Sequence, residues 1–159
     1  MINDEQLTLK ALEAIQTAIQ LTKEARQSEV TPWHLLLALV KQPGGVVPSL
    51  LTNLNQSTSA IEEKLAAELA GLAKLASPAT TKFDSALTEA LAQAEREAAQ
   101  LHDDFISTEH LFLALLKIEA VAQLLALSRE AVLTALKQLR GSQKASTRDP
   151  EGTYQALEK

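Results

Sequence analysis

The chain of 159 residues contains no cysteine. Disulfides, thiolate catalysis and cysteine-ligated zinc are therefore excluded, and no thiol switch can operate. Aromatic residues make up only 3% of the chain against 46% hydrophobic residues overall, so a core has to be built from Leu, Ala, Ile and Val, which pack well on helix faces. The five glycines stand at Gly44, Gly45, Gly71, Gly141 and Gly152. Neither a phosphate-binding G-x-x-x-x-G-K-[ST] loop nor a dinucleotide-binding G-x-G-x-x-G turn can be written with them. No window of about 18 apolar residues is present to span a bilayer, and the opening MINDEQLTLK has neither the basic start nor the apolar run of a secretory signal. The formal charge of -5 is spread over both signs, leaving no basic block to neutralise several phosphates. Nucleic acid and membrane are not expected as partners, and a cytoplasmic protein is the expectation.

What remains is helix. The length suits one ordinary domain with a core large enough to need no metal or disulfide. From Leu9 to about Arg26, Ala11, Leu12, Ile15, Ala18, Ile19 and Thr22 recur at three- and four-residue steps, the period of an amphipathic helix. Thr8 stands as its N-cap, with Leu7 and Leu12 spaced as a hydrophobic staple. Thr31 caps a second helix with Pro32 at its first position, where the missing N–H costs nothing. The segment VPSLLTNL forms a short third helix, and Ser57 caps a fourth through Ile61, Leu65 and Leu69.

The pattern then restarts. VTPWHLLLALVK at residues 30–41 returns as ISTEHLFLALLK at residues 106–117, with six of twelve positions identical. Seventy-six residues after Leu7 and Thr8 stand Phe83 and Asp84, and Leu87, Leu91, Ala94 and Ala98 follow Ala11, Ile15, Ala18 and Thr22 at the same interval. A short helix around Leu124 and Leu127 is expected to match Leu50 to Leu54, and Ser128 caps a last helix that Gly141 ends. The expected fold is all-α: two four-helix repeats related by a pseudo-twofold and sharing one core, because neither can cover its apolar stripe alone. The boundaries read 1–75 for the first repeat, 76–82 for an inter-repeat linker, 83–141 for the second repeat, and 142–159 for a flexible linker that loses periodicity.

Chemistry is hard to place on this chain. The three histidines sit in no catalytic motif. His34 and His110 are repeat-equivalent, each three residues after a capping Thr31 or Ser107, and are expected to close the first helical turn at the core edge; no further ligands are spaced to make them a metal pair. His102 reads as an exposed residue at a helix end. The acidic pairs Glu62–Glu63 and Asp103–Asp104 point different ways on a helix and read as solvated surface. Glu109 lies in a first helical turn, where a negative charge complements the macrodipole by roughly 0.3–1 kcal/mol. Its counterpart is Trp33, the only tryptophan, a pair that either marks a partner surface or covers a core edge. A peptide groove, if present, belongs where the first helices of the repeats approach each other, near Leu9, Leu12, Leu87, Leu91 and Leu111.

With the doubled HLLLAL and HLFLAL, the opening LTLKALEAI, the segment DDFISTEHL and the closing DPEGTYQALEK, the chain resembles the N-terminal domains of the Clp family of AAA+ chaperones. Within that family TYQALEK favours the ClpB disaggregase branch. The resemblance implies an all-α domain tethered to a hexameric ATPase ring, working with the DnaK-type chaperone system and capturing unfolded or aggregated polypeptide. It implies that Thr8, Asp103 and Glu109 matter for substrate handling, that the fragment is a monomer without enzyme activity, and that no cofactor is bound, ATP belonging to the ring. The alternative is an adaptor-docking or modulator domain of a ClpC-like unfoldase; TPWH against STEH departs from the more uniform pattern of that branch.

Overall fold

The structure is a computed structural model, and it describes residues 3–75, 82–141 and 143–151. After a single 3-10 turn at Asp4–Gln6, the chain forms helices α1 (Leu9–Glu24), α2 (Pro32–Lys41), α3 (Val46–Asn53) and α4 (Thr58–Ala70), then α5 (Ser85–Gln100), α6 (Thr108–Leu115), α7 (Glu119–Leu125) and α8 (Arg129–Arg140). The side chains of Thr8, Ser57, Asp84 and Ser128 accept from the backbone N–H groups of Ala11, Ala60, Leu87 and Ala131, so these four of the six expected caps each satisfy a donor that helix geometry leaves orphaned. Thr31 and Ser107 stand as the N-caps of α2 and α6 as expected. The short helix of the second repeat lies earlier than its expected place at Leu124 to Leu127. The chain bends out of α6 after Leu115, and Glu119 starts α7 three residues beyond the cap Leu116.

The two repeats are interlocked. Strand β1 (Glu29–Val30) pairs in parallel with β2 (Lys82–Phe83), aligning Val30 with Phe83. The symmetric pairing is a bridge of Leu7 with Ile106. Each residue preceding a repeat's first helix thus pairs with the residue preceding the other repeat's second helix cap. The bonds match as well: Thr8 N–H donates to the Ile106 carbonyl at 2.9 Å and Asp84 N–H to that of Val30 at 3.0 Å. Lys82, assigned to the linker from sequence, is therefore part of this pairing. Residues 76–81 and the TYQALEK segment lie outside the described residues.

Helices α1 and α2 pack as one hairpin and α5 and α6 as another; α1 also touches α6, and α2 touches both α5 and α6. The core is aliphatic, with Phe112 as its one large aromatic among fully buried leucines such as Leu35, Leu36, Leu39, Leu50, Leu111 and Leu113. Every residue of α6 is buried, its polar first turn as well as its apolar remainder.

One expectation fails at the C-terminal end. Residues 143–151 do not hang free: Ala145, Pro150 and Glu151 are buried, and the Ala145 carbonyl accepts from both Asp104 and Phe105 N–H at 3.0 Å. Polar composition suggested a loose segment, but its backbone groups find partners on the body of the domain.

Candidate functional site

Helix α1 carries two apolar stripes. Ala11, Ala14 and Ala18 are buried, their small side chains letting the helix backbone come close to its neighbours. Leu12, Ile15 and Ile19 are only partly buried and turn toward a groove of about 680 Å³ whose opposite wall is α5. The groove lies on the pseudo-twofold, because its lining comes in repeat-equivalent pairs: Leu7 with Phe83, Leu12 with Thr88, Ile15 with Leu91, Gln16 with Ala92, and Ile19 with Glu95. Apart from Gln16 the α1 wall is aliphatic, whereas the α5 wall offers Leu91 and Phe83 flanked by Thr88, Glu95 and Arg96. Symmetry in the backbone with asymmetry in the side chains produces an apolar cleft whose polar groups are concentrated along the α5 rim.

A second conserved-in-both-repeats device lies inside the fold. Helix α1 ends with Arg26 at φ 57° and α5 with His102 at φ 59°, and the next N–H closes each turn, Gln27 onto the Thr22 carbonyl and Asp103 onto that of Ala98. This C-terminal motif aims Gln27 and Asp103 inward. His34 meets Gln27 Oε1 at 2.6 Å through Nε2, and His110 meets Asp103 Oδ2 at 2.6 Å in the same way. In each ring Nδ1 accepts the cap residue's backbone N–H, from Thr31 at 3.0 Å and Ser107 at 2.8 Å, so the proton sits on Nε2 and is donated inward. Ser107, His110 and Asp103 stand in the order of a hydrolase triad, yet His110 Nδ1 is already committed to a backbone donor and all three side chains are sealed from solvent. Thr31, His34 and Gln27 repeat the arrangement without any acid. It is a helix-capping device.

The two repeats finish this device differently. Gln27 donates from Nε2 to the Leu69 carbonyl at 2.7 Å. Asp103 instead accepts from both terminal guanidinium nitrogens of Arg140 and from the Ala145 N–H. Burial pushes the Asp103 carboxyl up, but these hydrogen bonds, the one from His110 and the Arg140 charge outweigh it and hold the group well below the usual carboxylate range. For His34, burial dominates and lowers its basicity, with Asp84 opposing. Glu109 is fully buried with Arg140 Nη1 at 3.6 Å from Oε2, and neither of its oxygens has a hydrogen-bond partner among the described residues. Glu151 is buried beside it. Burial and the Glu109 charge raise the Glu151 carboxyl above its ordinary range, against hydrogen bonds from Thr108 and Thr8.

The residues singled out from sequence divide accordingly. Leu12 and Leu91 line the groove. Leu9 is 53% exposed but lies outside the lining. Leu87 and Leu111 are core, and Thr8, Asp103 and Glu109 have buried side chains, so none of these five presents a surface to a ligand in this conformation. Asp103 is thus not the solvated surface carboxylate its neighbour Asp104 suggested, and Glu109 is not an exposed first-turn charge. The groove residues missed as such are Ile15, Ile19 and Phe83. Their signal was available: a helix with both an alanine stripe and an adjacent Leu/Ile stripe has more apolar face than one packing contact covers. Trp33 is half-buried and borders a separate, more open depression with Lys64, Glu68 and Leu124. Among the described residues no single helix is long and apolar enough to cross a membrane.

The Clp repeat N-terminal domain model matches residues 6–143. The chain belongs to the Clp repeat N-terminal domain family. As a Clp N-domain it is 35% identical over 159 residues to the chaperone protein ClpB of Bdellovibrio bacteriovorus, covering 96% of this chain but 19% of that protein. The chain spans about a fifth of the length of the curated relatives it matches. Among solved structures, the Clp N-domain superposes on the Hsp104 N-terminal domain of Candida albicans with a TM-score of 0.83 at 22% identity, over 92% of this chain and 99% of that one. It also matches a ClpV N-domain in complex with VipB peptide, with a TM-score of 0.67 at 20% identity over 84% and 86% of the two chains. The domain shares its fold with these solved N-domains, and no P-loop motif can be written in its sequence.

Proposed function

We propose that this domain captures unfolded or aggregated polypeptide in the α1–α5 groove and passes it to a hexameric AAA+ ring, as the N-terminal module of a ClpB-like disaggregase acting in the cytoplasm under stress with a DnaK-type chaperone system. The observation that carries the reading is the groove itself. Leu12, Ile15, Ile19, Phe83 and Leu91 form an open, apolar cleft that desolvates apolar side chains while demanding little of their order in sequence. A related fold, the ClpV N-domain, is known in complex with a peptide, which supports peptide binding as a use of this architecture. A cleft with so few polar anchors suits affinities from about micromolar to millimolar, roughly 4–8 kcal/mol per domain. Several copies tethered to one ring raise the effective concentration without any new contact.

The test is an NMR titration of the domain with a permanently unfolded model protein, using the same protein folded as control. Shifts confined to Leu12, Ile15, Leu91 and their neighbours, seen only with the unfolded form, are the expected result. Shifts produced only by a folded adaptor would instead assign the domain to the docking class of a ClpC-like unfoldase.

A further inference from the structure

Residues 143–151 run back over the domain and meet the beginnings of two helices. Leu9 and Thr108 are the first residues of α1 and α6, and a helix supplies no acceptor for its first N–H groups. Here the strap supplies them: Leu9 N–H donates to the Arg148 carbonyl at 2.8 Å, and Thr108 N–H to Glu151 Oε2 at 3.1 Å. Thr8 serves both sides, accepting the Ala11 N–H as N-cap while its hydroxyl donates to Glu151 Oε2 at 2.8 Å. Midway along the strap, Ala145 N–H donates to Asp103 Oδ1 at 2.9 Å.

We propose that residues 143–151 form a releasable latch whose bolt is the Glu151 carboxyl, seated between Thr8 and Thr108, fastening the exiting chain to the N-terminal ends of α1 and α6. The latch does not rest on polypeptide binding in the groove, but it bears on it. Leu7, which lines the groove, receives Arg148 Nε on its carbonyl at 3.3 Å, so the same strap positions one end of the α1 wall. In a longer chain the latch would set where the following module begins relative to the groove.

The bolt is built to be conditional. Glu151 sits wholly buried beside Glu109, and among the described residues Glu151 Oε1 and both Glu109 oxygens lack hydrogen-bond partners. Two carboxylates in one dry site cannot both ionise cheaply. The other charged or titratable groups on the elements that meet here are His110 on α6, Arg140 at the end of α8, paired with Asp103, then Lys144, Arg148 and Asp149 on the strap, Asp4 and Glu5 in the first turn, and Lys10, Glu13, Lys23 and Glu24 on α1. Docked, Glu151 therefore holds a proton more tightly than the released carboxyl does. Docking is fully favoured below the ordinary carboxylate range and weakens as pH rises through the raised value.

The experiment is amide hydrogen exchange, read by NMR on the 159-residue chain and corrected for intrinsic rates. The Leu9 and Thr108 amides report the latch because the helices give them no acceptor of their own. In Glu151→Ala their protection, and that of Ala145, is expected to fall about tenfold or more, while the core amides of Leu36 and Leu113 keep theirs. Glu151→Gln, which needs no proton and can donate to Glu109, is expected to hold the protection and make it independent of pH. In the parent chain protection is expected to decline as pH rises. Unchanged Leu9 and Thr108 protection in Glu151→Ala would overturn the latch. So would a Glu151→Gln variant as unprotected as Glu151→Ala, or a flat pH profile in the parent. Should Glu151→Ala fail to fold, the Gln variant and the parent's pH series still decide.

Discussion

Asp103 accepts a 2.6 Å hydrogen bond from His110, and neither side chain is exposed. The same contact joins Gln27 and His34 in the first repeat. The pair ties the end of each repeat's first helix to the start of its second, and so fixes the angle of the helical hairpin on which one wall of the groove stands. What differs is charge: the first repeat completes the tie with a backbone carbonyl, the second with a buried ion pair.

Replacing Asp103 should expose that difference. Asp103→Asn leaves the buried Arg140 guanidinium without its two-pronged partner, and a loss of about 3–5 kcal/mol is expected. Gln27→Ala removes only neutral hydrogen bonds and should cost about 1–3 kcal/mol. The sign with pH also follows. Because the folded-state value of Asp103 is depressed, its contribution is complete above the ordinary carboxylate range and is lost as pH falls toward the folded value. Denaturant melts at neutral and acidic pH should show the parent losing this stability in acid and Asp103→Asn lacking it throughout.

Leu91 and Leu111 looked interchangeable in the sequence and should behave oppositely. Leu111 is fully buried, and Leu111→Ala is expected to cost about 2–5 kcal/mol. Leu91 faces the groove, so Leu91→Ala should cost about 1 kcal/mol or less while weakening polypeptide binding. Thermal melts beside binding titrations separate the two; equal melting points would refute the placement.

The start of α8 is fastened to α5 by Arg129, which pairs with Glu97 while Gln93 donates to the same carboxylate at 3.0 Å. Burial raises the Glu97 carboxyl, yet the hydrogen bonds from Arg129 and Gln93 lower it overall. Arg129→Met should therefore destabilise the fold by about 2–3 kcal/mol at neutral pH. The deficit should shrink as pH falls through the carboxylate range, since the variant can neutralise Glu97 with a proton. A deficit constant with pH would show the ion pair to be inert.

Among the described residues four exposed ones carry a left-handed backbone, and two of them, Arg26 and His102, are repeat-equivalent. Arg26 and His102 hold positive φ at the equivalent helix ends, a conformation in which a Cβ costs about 1–2 kcal/mol. Arg26→Gly and His102→Gly are each expected to stabilise the domain by about 0.5–1 kcal/mol, part of the gain being lost to the greater freedom of glycine when unfolded. Equilibrium unfolding of the two variants and the double variant provides the check, and additive gains are expected because the sites lie in separate repeats.

Much of the architecture was legible because its signals are local. Thr8, Ser57, Asp84 and Ser128 announce helix starts by hydrogen bonds three residues long, and the 76-residue recurrence of cap, histidine and apolar face predicts two like halves. The start of α7 is not legible because no side-chain cap marks it. The site was less legible. Ile15 and Ile19 share the helical period with buried alanines, and period alone does not say which of two neighbouring stripes meets another helix. Asp103 and Asp104 are adjacent acids of one type, yet only the first is turned inward, by a helix-ending backbone turn.

By itself the sequence determined the helices, their caps, the duplication and the absence of catalytic and nucleotide-binding motifs, since these depend on contacts within a few residues or on composition. Only the tertiary structure decided that Leu12, Ile15 and Leu91 border a cleft while Leu87 and Leu111 are sealed, and that a polar segment ending in Glu151 folds back onto Thr8 and Thr108. Those outcomes depend on groups up to 143 residues apart. Burial and carboxylate pairing are properties of the surroundings that other parts of the chain provide, and no local pattern encodes them.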